Sequence, residues 1–434
     1  MSSQAPSSST PSPSRRTSDA PATETPSELE ALRFWLKLGC ISFGGPAGQI
    51  AIMHDELVER RRWITERRFL HALNFCMAMP GPEAQQLATY VGYTLYGVRG
   101  AIASGGLFVA PSFVLLCVMS GVYVEYGDVT VVEGAVSGLG AAVVALVSAA
   151  VLRVGGRVIH TRAAVALAAV AFAAIVAGVP FPVIIVVAGA IGYAAGRSRP
   201  SLLGRPASHG DDDVDDDAGA GVNVRRRLVR GLLIWLVPVA LLVLAGGLVG
   251  QLAGFFTIAA LVTFGGAYAV LPFVASAAVN HYGWLSSKDM VAGLALGEST
   301  PGPLIMVNTF VGFVAGYRVE GNLAWGVAGA VIATLATFVP CFVLVITGAP
   351  VIDRIRSTGS FGNGLNGVTI SVVGVIAALA VFVARHALVV NGDVDLVLAT
   401  LAAAAFVAVW RFRAGVVPVV LTCAAVGIVH TALG

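Results

Sequence analysis

The chain carries the segment GESTPGP at residues 297–303, inside an otherwise apolar stretch that covers residues 290–317. Glu298 brings a charge into this stretch. Pro301 and Pro303 bracket a glycine, so an unbroken helix cannot pass through the segment. In a soluble protein the segment would be read as a surface loop, but its apolar surroundings predict a helix that is broken inside a membrane.

The composition of the whole chain supports a membrane protein. Hydrophobic residues make up 57% of the 434 residues and charged residues 12%, whereas a soluble domain carries roughly a quarter charged residues. Apolar runs close to the length that spans a bilayer cover residues 101–122, 131–152, 232–252, 323–348, 368–383 and 394–410. We therefore predict an all-α polytopic membrane protein with about 10–13 membrane segments.

Several classes of function lack their sequence signals. The chain has two lysines, Lys37 and Lys288, and neither follows a glycine, so no P-loop for ATP is present. The five cysteines are scattered without C-x-x-C spacing and are expected to pack as small apolar residues. We expect no metal site, no cofactor, no nucleic-acid partner and no enzymatic activity.

Polar and charged stretches divide the chain into four parts. Residues 1–28 are rich in Ser, Pro and Thr and are predicted to form a disordered cytoplasmic tail, not a signal peptide. Residues 198–230 contain the runs DDDVDDD and VRRRLVR and are predicted to form a charged cytoplasmic linker. The two membrane halves then occupy residues 29–197 and 231–434, and the second half begins with an extra span near residues 231–252.

The two halves repeat each other. Five pairs of segments match in the same order, the first three at an offset of 221 residues and the fourth at 220: Phe43-Gly44-Gly45 with Phe264-Gly265-Gly266, Trp63-Ile64-Thr65 with Trp284-Leu285-Ser286, Pro80-Gly81-Pro82 with Pro301-Gly302-Pro303, Thr89-Tyr90-Val91-Gly92 with Thr309-Phe310-Val311-Gly312, and Pro111-Ser112-Phe113-Val114-Leu115 with Pro340-Cys341-Phe342-Val343-Leu344. Matches in constant order and spacing indicate a duplicated fold. The paired tryptophans are expected to anchor the chain at the membrane interfaces.

The charges predict that the second half is inverted in the membrane. The connection HDELVERRRWITERR at residues 54–68 has five arginines, whereas its equivalent NHYGWLSSKD at residues 280–289 has a single lysine. Short loops rich in Lys and Arg stay in the cytoplasm. The first connection is therefore expected inside and the second outside, as in inverted-topology repeats. Arg318, which this scheme places outside, fits it poorly.

The Phe-Gly-Gly and Pro-Gly-Pro motifs interrupt apolar runs in both halves, and so predict four helix breaks. Freed backbone groups are tolerated at membrane depth only where they are buried in protein or line a watery cavity. Broken helices also present positive N-terminal ends that can hold an anion. The breaks therefore predict an internal polar site near the middle of the bilayer.

Polar residues lie next to the breaks in both halves: Glu83, Gln85, Gln86 and Thr89 in the first, and Glu298, Ser299, Thr300, Asn308 and Thr309 in the second. Ionisable groups in a membrane span are candidates for function. Each residue also has a structural alternative. Glu83 could cap the N-terminus of the helix after Pro82. Glu298 could pair with an arginine or extend to a membrane interface. The other residues could form hydrogen bonds between helices.

These motifs resemble the chromate ion transporter family, in its two-domain, long-chain form. The resemblance rests on FGGPAGQIA and MPGPEAQQLATYVGY in the first half and on FGGAYAVLPF and STPGPLIMVNTFVGF in the second, and it covers the chain from about residue 31 onward. It implies a transporter in the cytoplasmic (inner) membrane that exports chromate, confers chromate resistance and uses ion gradients rather than ATP.

The resemblance also implies site residues. The family's motif positions in this chain are Phe43, Gly44, Gly45, Pro80, Gly81, Pro82, Glu83, Gln85, Gln86, Phe264, Gly265, Gly266, Pro301, Gly302 and Pro303. From their places beside the breaks we add Thr89, Ser299, Thr300 and Asn308 as substrate-binding candidates. Carboxylates near a dianion would repel it unless they were protonated, so Glu83 and Glu298 are candidates for proton coupling. Leu304 stands where the first half has Glu83, so the halves cannot play identical roles.

Other functions remain open at this stage. A carrier of sulfate or another small oxyanion, working either as an exporter or as an importer, would use the same fold. A membrane oxidoreductase that acts on chromate would need cofactor motifs that the sequence lacks, and a channel fits inverted repeats with broken helices less well. The expected partners are chromate, sulfate as its analogue and the lipid bilayer. The N-terminus is expected in the cytoplasm, and the oligomeric state is open between a monomer and a homodimer.

Overall fold

The computed structural model describes residues 26–43, 45–198, 202–204, 224–349, 359–390 and 392–433. Gly44, nearly all of the predicted tail and the acidic run of the linker lie outside these ranges. The described chain is helical throughout, apart from short connections and one two-stranded hairpin.

The described part of the first half forms helices α1 (Glu28–Ile41), α2 (Gly45–His54), α3 (Glu66–Ala78), α4 (Glu83–Tyr126), α5 (Thr130–Val158), α6 (Arg162–Val176) and α7 (Phe181–Ser198), with a π-helical turn at Asp55–Arg60 after α2. Helix α4 is kinked where Tyr96 and Gly97 leave helical geometry. The kink divides it into a short segment (residues 83–95) and a long segment (residues 98–126).

The second half forms helices α8 (Val224–Ala245), α9 (Gly247–Leu261), α10 (Ala267–Ser276), α11 (Ser287–Ser299), α12 (Val307–Glu320), α13 (Leu323–Gly348), α14 (Gly359–Leu388), α15 (Leu396–Arg411) and α16 (Val416–Leu433). A π-helical turn at Ala277–His281 follows α10, and a 3-10 turn at Leu304–Met306 precedes α12. Strands β1 (Val389–Val390) and β2 (Asp393–Val394) pair as an antiparallel hairpin.

The helices of the two halves correspond one to one. Helices α1, α2 and α3 correspond to α9, α10 and α11, the two segments of α4 correspond to α12 and α13, and α5–α7 correspond to α14–α16. The π-helical turn is also repeated. Helix α8 has no counterpart in the first half and lies in the region where an extra span was predicted. It ends earlier than the predicted span, because Gly246 and Gly247 have φ values of 70° and 59° that interrupt the helix.

Polar contacts at the two ends of the long segment of α4 show that the halves are inverted. At one end, Tyr96 donates a hydrogen bond to the carbonyl of Pro26, and Arg61 pairs with Glu30 at 2.9 Å, so the connection 54–68 lies there. At the other end, Tyr123 donates to Asp289 Oδ1 at 2.7 Å, which places the connection 280–289 there. At 1.5 Å per residue the two ends are ~40 Å apart. Equivalent connections thus lie at opposite ends of the bundle.

The outer surface is suited to lipid. Among the described residues, 7 helices are long and apolar enough to cross a membrane, and the span in α8 has only 6% of its residues buried inside the protein. Large apolar side chains such as Val186, Ile234 and Leu244 are 71%, 70% and 81% exposed. These exposed apolar surfaces are suited to contact with the hydrocarbon of a bilayer.

The matched tryptophan motifs form helix caps and buried aromatic clusters. Thr65 Oγ1 accepts a hydrogen bond from the N–H of Arg68, and the equivalent Ser286 caps α11 in the same way, as is typical of residues that begin a helix. Trp63 and Trp284 are only 7% and 3% exposed. The expectation that they anchor at the membrane interface is therefore wrong, because both are enclosed by protein.

Candidate functional site

The Pro-Gly-Pro breaks of each half meet the helix ends that precede the Phe-Gly-Gly breaks of the other half. The N–H of Gly81 donates to the carbonyl of Thr263 at 2.8 Å, and the N–H of Gly302 donates to the carbonyl of Ser42 at 2.8 Å. Gly81 and Gly302 are equivalent in the repeat, as are Ser42 and Thr263. This reciprocity is what a two-fold symmetric contact requires. We call this region the crossing; the prolines of the breaks flank its two glycines: Pro80, Pro82, Pro301 and Pro303.

Only glycine fits at the two centres of the crossing. Gly81 and Gly302 have φ values of 125° and 109°. A Cβ atom on Gly81 would lie 2.5 Å from Cys341 Sγ, and one on Gly302 would lie 2.7 Å from Ser112 Cβ. Cys341 and Ser112 are equivalent residues that follow the prolines in α13 and in the long segment of α4. Each glycine is therefore held between the two halves.

The Phe-Gly-Gly breaks have the same conformation in both halves, as far as they are described. Gly45 and its equivalent Gly266 both have positive φ values, 77° and 96°, and Gly265, whose equivalent Gly44 lies outside the described residues, has a φ value of 76°. The N–H of Phe43 donates to Ile41 and that of Phe264 to Val262, each two residues back, at 3.0 and 3.1 Å. These breaks end α1 and α9 and begin α2 and α10 beside the crossing.

Two buried glutamines fasten the breaks through their amide nitrogens. Gln86 Nε2 donates to the carbonyl of Pro80 at 2.7 Å. Gln49 Nε2 donates to the carbonyl of Gly302 at 2.6 Å and to that of Ser42 at 3.2 Å. A carbonyl can only accept a hydrogen bond, so the orientation of both amides is fixed. The oxygen of each amide is buried and has no hydrogen-bond partner among the described residues.

Gln85 and Asn308 have the same arrangement. Gln85 Nε2 donates to Thr89 Oγ1 at 2.9 Å, and this hydroxyl already donates to the carbonyl of Gln85. Asn308 Nδ2 donates to Thr337 Oγ1 at 3.1 Å, and that hydroxyl donates to the carbonyl of Ala333. Gln85 Oε1 and Asn308 Oδ1 are likewise buried without a partner in the described chain. Four amide oxygens near the breaks are thus free to accept.

The hydroxyls of the other predicted polar residues form hydrogen bonds within their own helix or with a neighbouring helix. Ser299 donates to the carbonyl of Leu296 at 2.9 Å and Thr300 to that of Gly297 at 3.2 Å. The hydroxyls of Thr309 and Thr334 lie 2.8 Å apart, which is a hydrogen bond between α12 and α13. For these residues the structure shows the alternative that the sequence allowed, hydrogen bonding within and between helices.

Gln49 was not among the residues predicted for the site. It is fully buried and joins the first half to Gly302 of the second. Its place in the motif FGGPAGQ could have marked it as a site residue. Its equivalent in the second half is Val270, so comparison of the two repeats did not draw attention to it.

Glu298 lies inside the second half and is bonded to a tyrosine. It is 7% exposed, and Tyr268 donates a hydrogen bond to its Oε1 at 2.6 Å. Arg153 of α5 acts on the carboxylate electrostatically, but the direct partner is the phenol rather than an arginine. In the first half the equivalents of Glu298 and Tyr268 are Met77 and Ala47, so the pair exists only once.

Glu83 is the first residue of α4 and follows the N-cap residue Pro82. It is half-buried. Its carboxylate lies where the helix dipole favours a negative charge. Among the described residues none donates a hydrogen bond to it. The carboxyls of the two halves therefore differ in both position and surroundings.

The two halves also differ in the packing of their helical hairpins, which are α2 with α3 in the first half and α10 with α11 in the second. In α11 all residues from Asp289 to Glu298 are buried, and the helix packs against α5, α14 and α16. In the equivalent α3 only Phe69, Ala72 and Cys76 are buried, and the main partner is α4. Met77 is 47% exposed where its equivalent Glu298 is 7% exposed. The second-half hairpin is thus enclosed and the first-half hairpin is open.

At one end of the bundle, an ion pair within the second half is linked to the first half by a hydrogen bond from Tyr123. Arg318 pairs with Asp289 through both nitrogens, at 2.7 and 2.9 Å, and Asp289 also accepts from Tyr123 of α4. Asp289 is 3% exposed. This pairing explains how Arg318 can lie at that end despite the charge rule. The equivalents of Asp289 and Arg318 in the first half are Arg68 and Val98, so the ion pair has no counterpart there. We call the three linked residues Tyr123, Asp289 and Arg318 the latch.

Two inverted repeats whose broken helices meet at one buried polar crossing define a multi-pass helical membrane protein with the architecture of a transporter. Comparison with known proteins identifies the family. The Chromate transporter family model matches residues 29–193 and 250–428. The chain belongs to this family, and the two matched regions cover the two repeats and leave out α8.

Relatives of the same length support this assignment. The chain is 31% identical to the chromate transport protein of Pseudomonas aeruginosa, over 91% of this chain and 90% of that protein. It is 29% identical to the probable chromate transport protein of Synechococcus elongatus, over 82% and 84%. It is 27% identical to the chromate transport protein of Cupriavidus metallidurans, over 86% of each. No solved structure matches the chain.

Proposed function

We propose that the chain is a secondary transporter that exports chromate across the cytoplasmic membrane and so confers chromate resistance. The observation that carries the proposal is the crossing: broken helices of two inverted repeats meet there with buried, unpartnered polar atoms, in a chain of the chromate transporter family. Transporters of inverted repeats bind their substrates at such breaks. The N-terminus and the arginine-rich connection 54–68 then lie in the cytoplasm.

The anion would be held by helix N-termini at the crossing. Helices α2, α4, α10 and α12 all begin next to the breaks, and the unpaired N–H groups of a first helical turn favour an anion. The free oxygens of Gln85, Gln86 and Asn308 would repel an anion, so these side chains would hold the breaks in shape through their nitrogens.

The two carboxyls would link transport to protons. A dianion near Glu83 or Glu298 is repelled while either is ionised, and a carboxyl removed from water takes up a proton more readily. Protonation would therefore accompany anion binding, and release of the anion would free the proton.

The unequal packing of the hairpins would correspond to one state of alternating access. The open first-half hairpin exposes its side of the crossing, and the latch closes the end at which Asp289 lies. In the opposite state, each hairpin would adopt the packing that its equivalent has here. The second-half hairpin would then be released from its neighbours and the latch would open. With the charge rule, the structure is then the inward-open state and the latch is the outer gate.

Weakening the latch is expected to open the outer end. Asp289→Asn retains an acceptor for Ser286 but removes the charge that pairs with Arg318. The probe is a cysteine introduced at Ser120, which is buried one turn before Tyr123. Its rate of labelling by an impermeant thiol reagent outside the cell should rise roughly fivefold, as expected for the loss of about 1 kcal/mol. The five native cysteines would first be replaced.

The matched control is Lys288→Ala. It removes an ion pair with Glu133, at 2.6 Å, that lies at the same end but is exposed, so labelling should not change. An unchanged rate in Asp289→Asn, or an equal rise in Lys288→Ala, would show that the latch is not a gate.

Chromate accumulation in cells tests the function itself. Cells that contain the protein are expected to accumulate several-fold less labelled chromate than cells without it. The same measurement with increasing external sulfate distinguishes a chromate carrier from a general oxyanion carrier. Sulfate should abolish the difference in chromate accumulation only if the protein is a general oxyanion carrier. Greater accumulation in cells with the protein would reverse the direction and make it an importer.

A further inference from the structure

Three residues that contact Gly302 of the crossing each carry a buried side-chain oxygen without a hydrogen-bond partner. Ser42 Oγ, Gln49 Oε1 and Ser112 Oγ are all buried, and none has a partner among the described residues. Their residues are at most 1% exposed. The backbone carbonyl of Ser42 accepts from the N–H of Gly302, and Gln49 Nε2 donates to the carbonyl of Gly302. The Ser112 side chain would lie 2.7 Å from a Cβ atom at Gly302. A buried polar atom left unpaired costs free energy, so a cluster of three points to a ligand.

The chemistry of these atoms selects a positively charged ligand. Gln49 Oε1 can only accept hydrogen bonds. The amide cannot be flipped by 180°, because Nε2 already donates to two carbonyls. The two serine hydroxyls can also offer lone pairs. Ser42 is the C-cap of α1, and the C-terminal end of a helix carries a partial negative charge that favours a cation.

The charge of the ligand follows from the same atoms. All three oxygens are neutral, from a hydroxyl, an amide and a hydroxyl. Divalent cations in proteins are held chiefly by carboxylates, whereas unwound backbone and helix C-terminal ends hold Na⁺ in transporters with broken helices. We infer that Ser42, Gln49 and Ser112 form a site for a monovalent cation, with Na⁺ as the first candidate.

The cation would deepen the proposed function, on which its role in transport rests. A positive charge beside Gly302 would offset part of the charge of an oxyanion held at the neighbouring helix N-termini. Binding of the two ions would then be mutually favourable, and the Na⁺ gradient could supply energy for transport. The second half offers no such site, because its equivalents of Gln49 and Ser112 are Val270 and Cys341.

The site is tested by Na⁺ binding to the purified full chain without any oxyanion. The melting temperature would be measured while NaCl replaces choline chloride at constant ionic strength and pH. A saturable rise is expected, because a ligand that binds only the folded state stabilises it. Gln49→Val and Ser112→Cys copy the residues of the second half and should raise the half-saturating Na⁺ concentration at least tenfold.

Ser104→Ala is the matched control. Ser104 is a buried serine of the same helix as Ser112, but its hydroxyl donates to the carbonyls of Ala88 and Ala101. Its Na⁺ response should equal that of the wild type. Binding of ²²Na⁺ is measured in parallel, so that a variant with a lowered melting temperature still reports on the site.

The inference is overturned if no alkali cation gives a saturable response, or if Gln49→Val and Ser112→Cys respond as the wild type does. Because the assay contains no oxyanion, its result is independent of the transported substrate. Chromate counterflow in proteoliposomes tests the proposed function separately. Loss of counterflow with intact Na⁺ binding would refute the function and keep the site.

Discussion

Replacing Glu298 with glutamine is expected to abolish the pH dependence of chromate flux while the fold stays intact. The carboxyl is buried and accepts the hydroxyl of Tyr268. A glutamine oxygen can accept the same hydrogen bond, so the packing is preserved. What is lost is the group that, in the proposed function, takes up a proton when the anion binds.

The sign of the effect follows from this coupling. In the wild type, anion binding should strengthen as pH falls on the binding side and weaken as pH rises, by up to about tenfold per pH unit for one titrating group. In Glu298→Gln this ratio should approach one. The measurement is uptake of labelled chromate into inside-out vesicles over a range of pH. Sulfate is run beside it because its charge does not change over that range.

Glu133→Gln is the control for the loss of a carboxyl, since Glu133 pairs with Lys288 at the surface. Its pH profile should match the wild type. If Glu298→Gln keeps the wild-type profile and Glu83→Gln flattens it, the coupling group is Glu83. If neither variant alters the profile, the proton-coupling role is wrong for both.

Adding a methyl group to either glycine of the crossing is expected to abolish transport and to destabilise the protein. In Gly81→Ala the new Cβ would meet Cys341 Sγ at 2.5 Å, and in Gly302→Ala it would meet Ser112 Cβ at 2.7 Å. The positive φ angles add strain of about 1–3 kcal/mol, and overpacking adds about 1–3 kcal/mol. A lowered melting temperature in detergent and loss of chromate flux are the measurements.

Gly106→Ala is the control, because a Cβ there meets nothing within 4 Å and alanine favours a helix. It should leave stability and flux unchanged or slightly improved. Second changes that make space should restore part of the loss: Cys341→Ala with Gly81→Ala, and Ser112→Gly with Gly302→Ala. If Gly81→Ala and Gly302→Ala both retain wild-type stability and flux, the two halves are not packed against these glycines.

The class of the protein and the positions of its breaks could be predicted from the sequence. Apolar runs and helix-breaking residues act locally, so their effect does not depend on what surrounds them. The offset of 221 residues between equivalent motifs aligned the halves, and the arginines of the connection 54–68 indicated that one half is inverted. The structure confirms this arrangement through contacts at opposite ends of α4.

The repeat itself limited what the sequence could show. Matching the halves draws attention to residues that both share, such as Gly81 and Gly302, and away from those that only one half has. Gln49 was missed for this reason, since its equivalent is Val270. Trp63 and Trp284 were matched correctly, but their burial is decided by neighbouring aromatic rings from other helices and could not be read from the motif.

The sequence by itself determined that this is a membrane protein of two inverted halves with four helix breaks, because hydropathy, charge and the geometry of proline and glycine are properties of short segments. Only the tertiary structure decided which break meets which. The hydrogen bonds from Gly81 to Thr263 and from Gly302 to Ser42 join segments far apart in the chain. It also decided which polar atoms lack partners, because a side chain is satisfied or left free only by what the fold brings next to it.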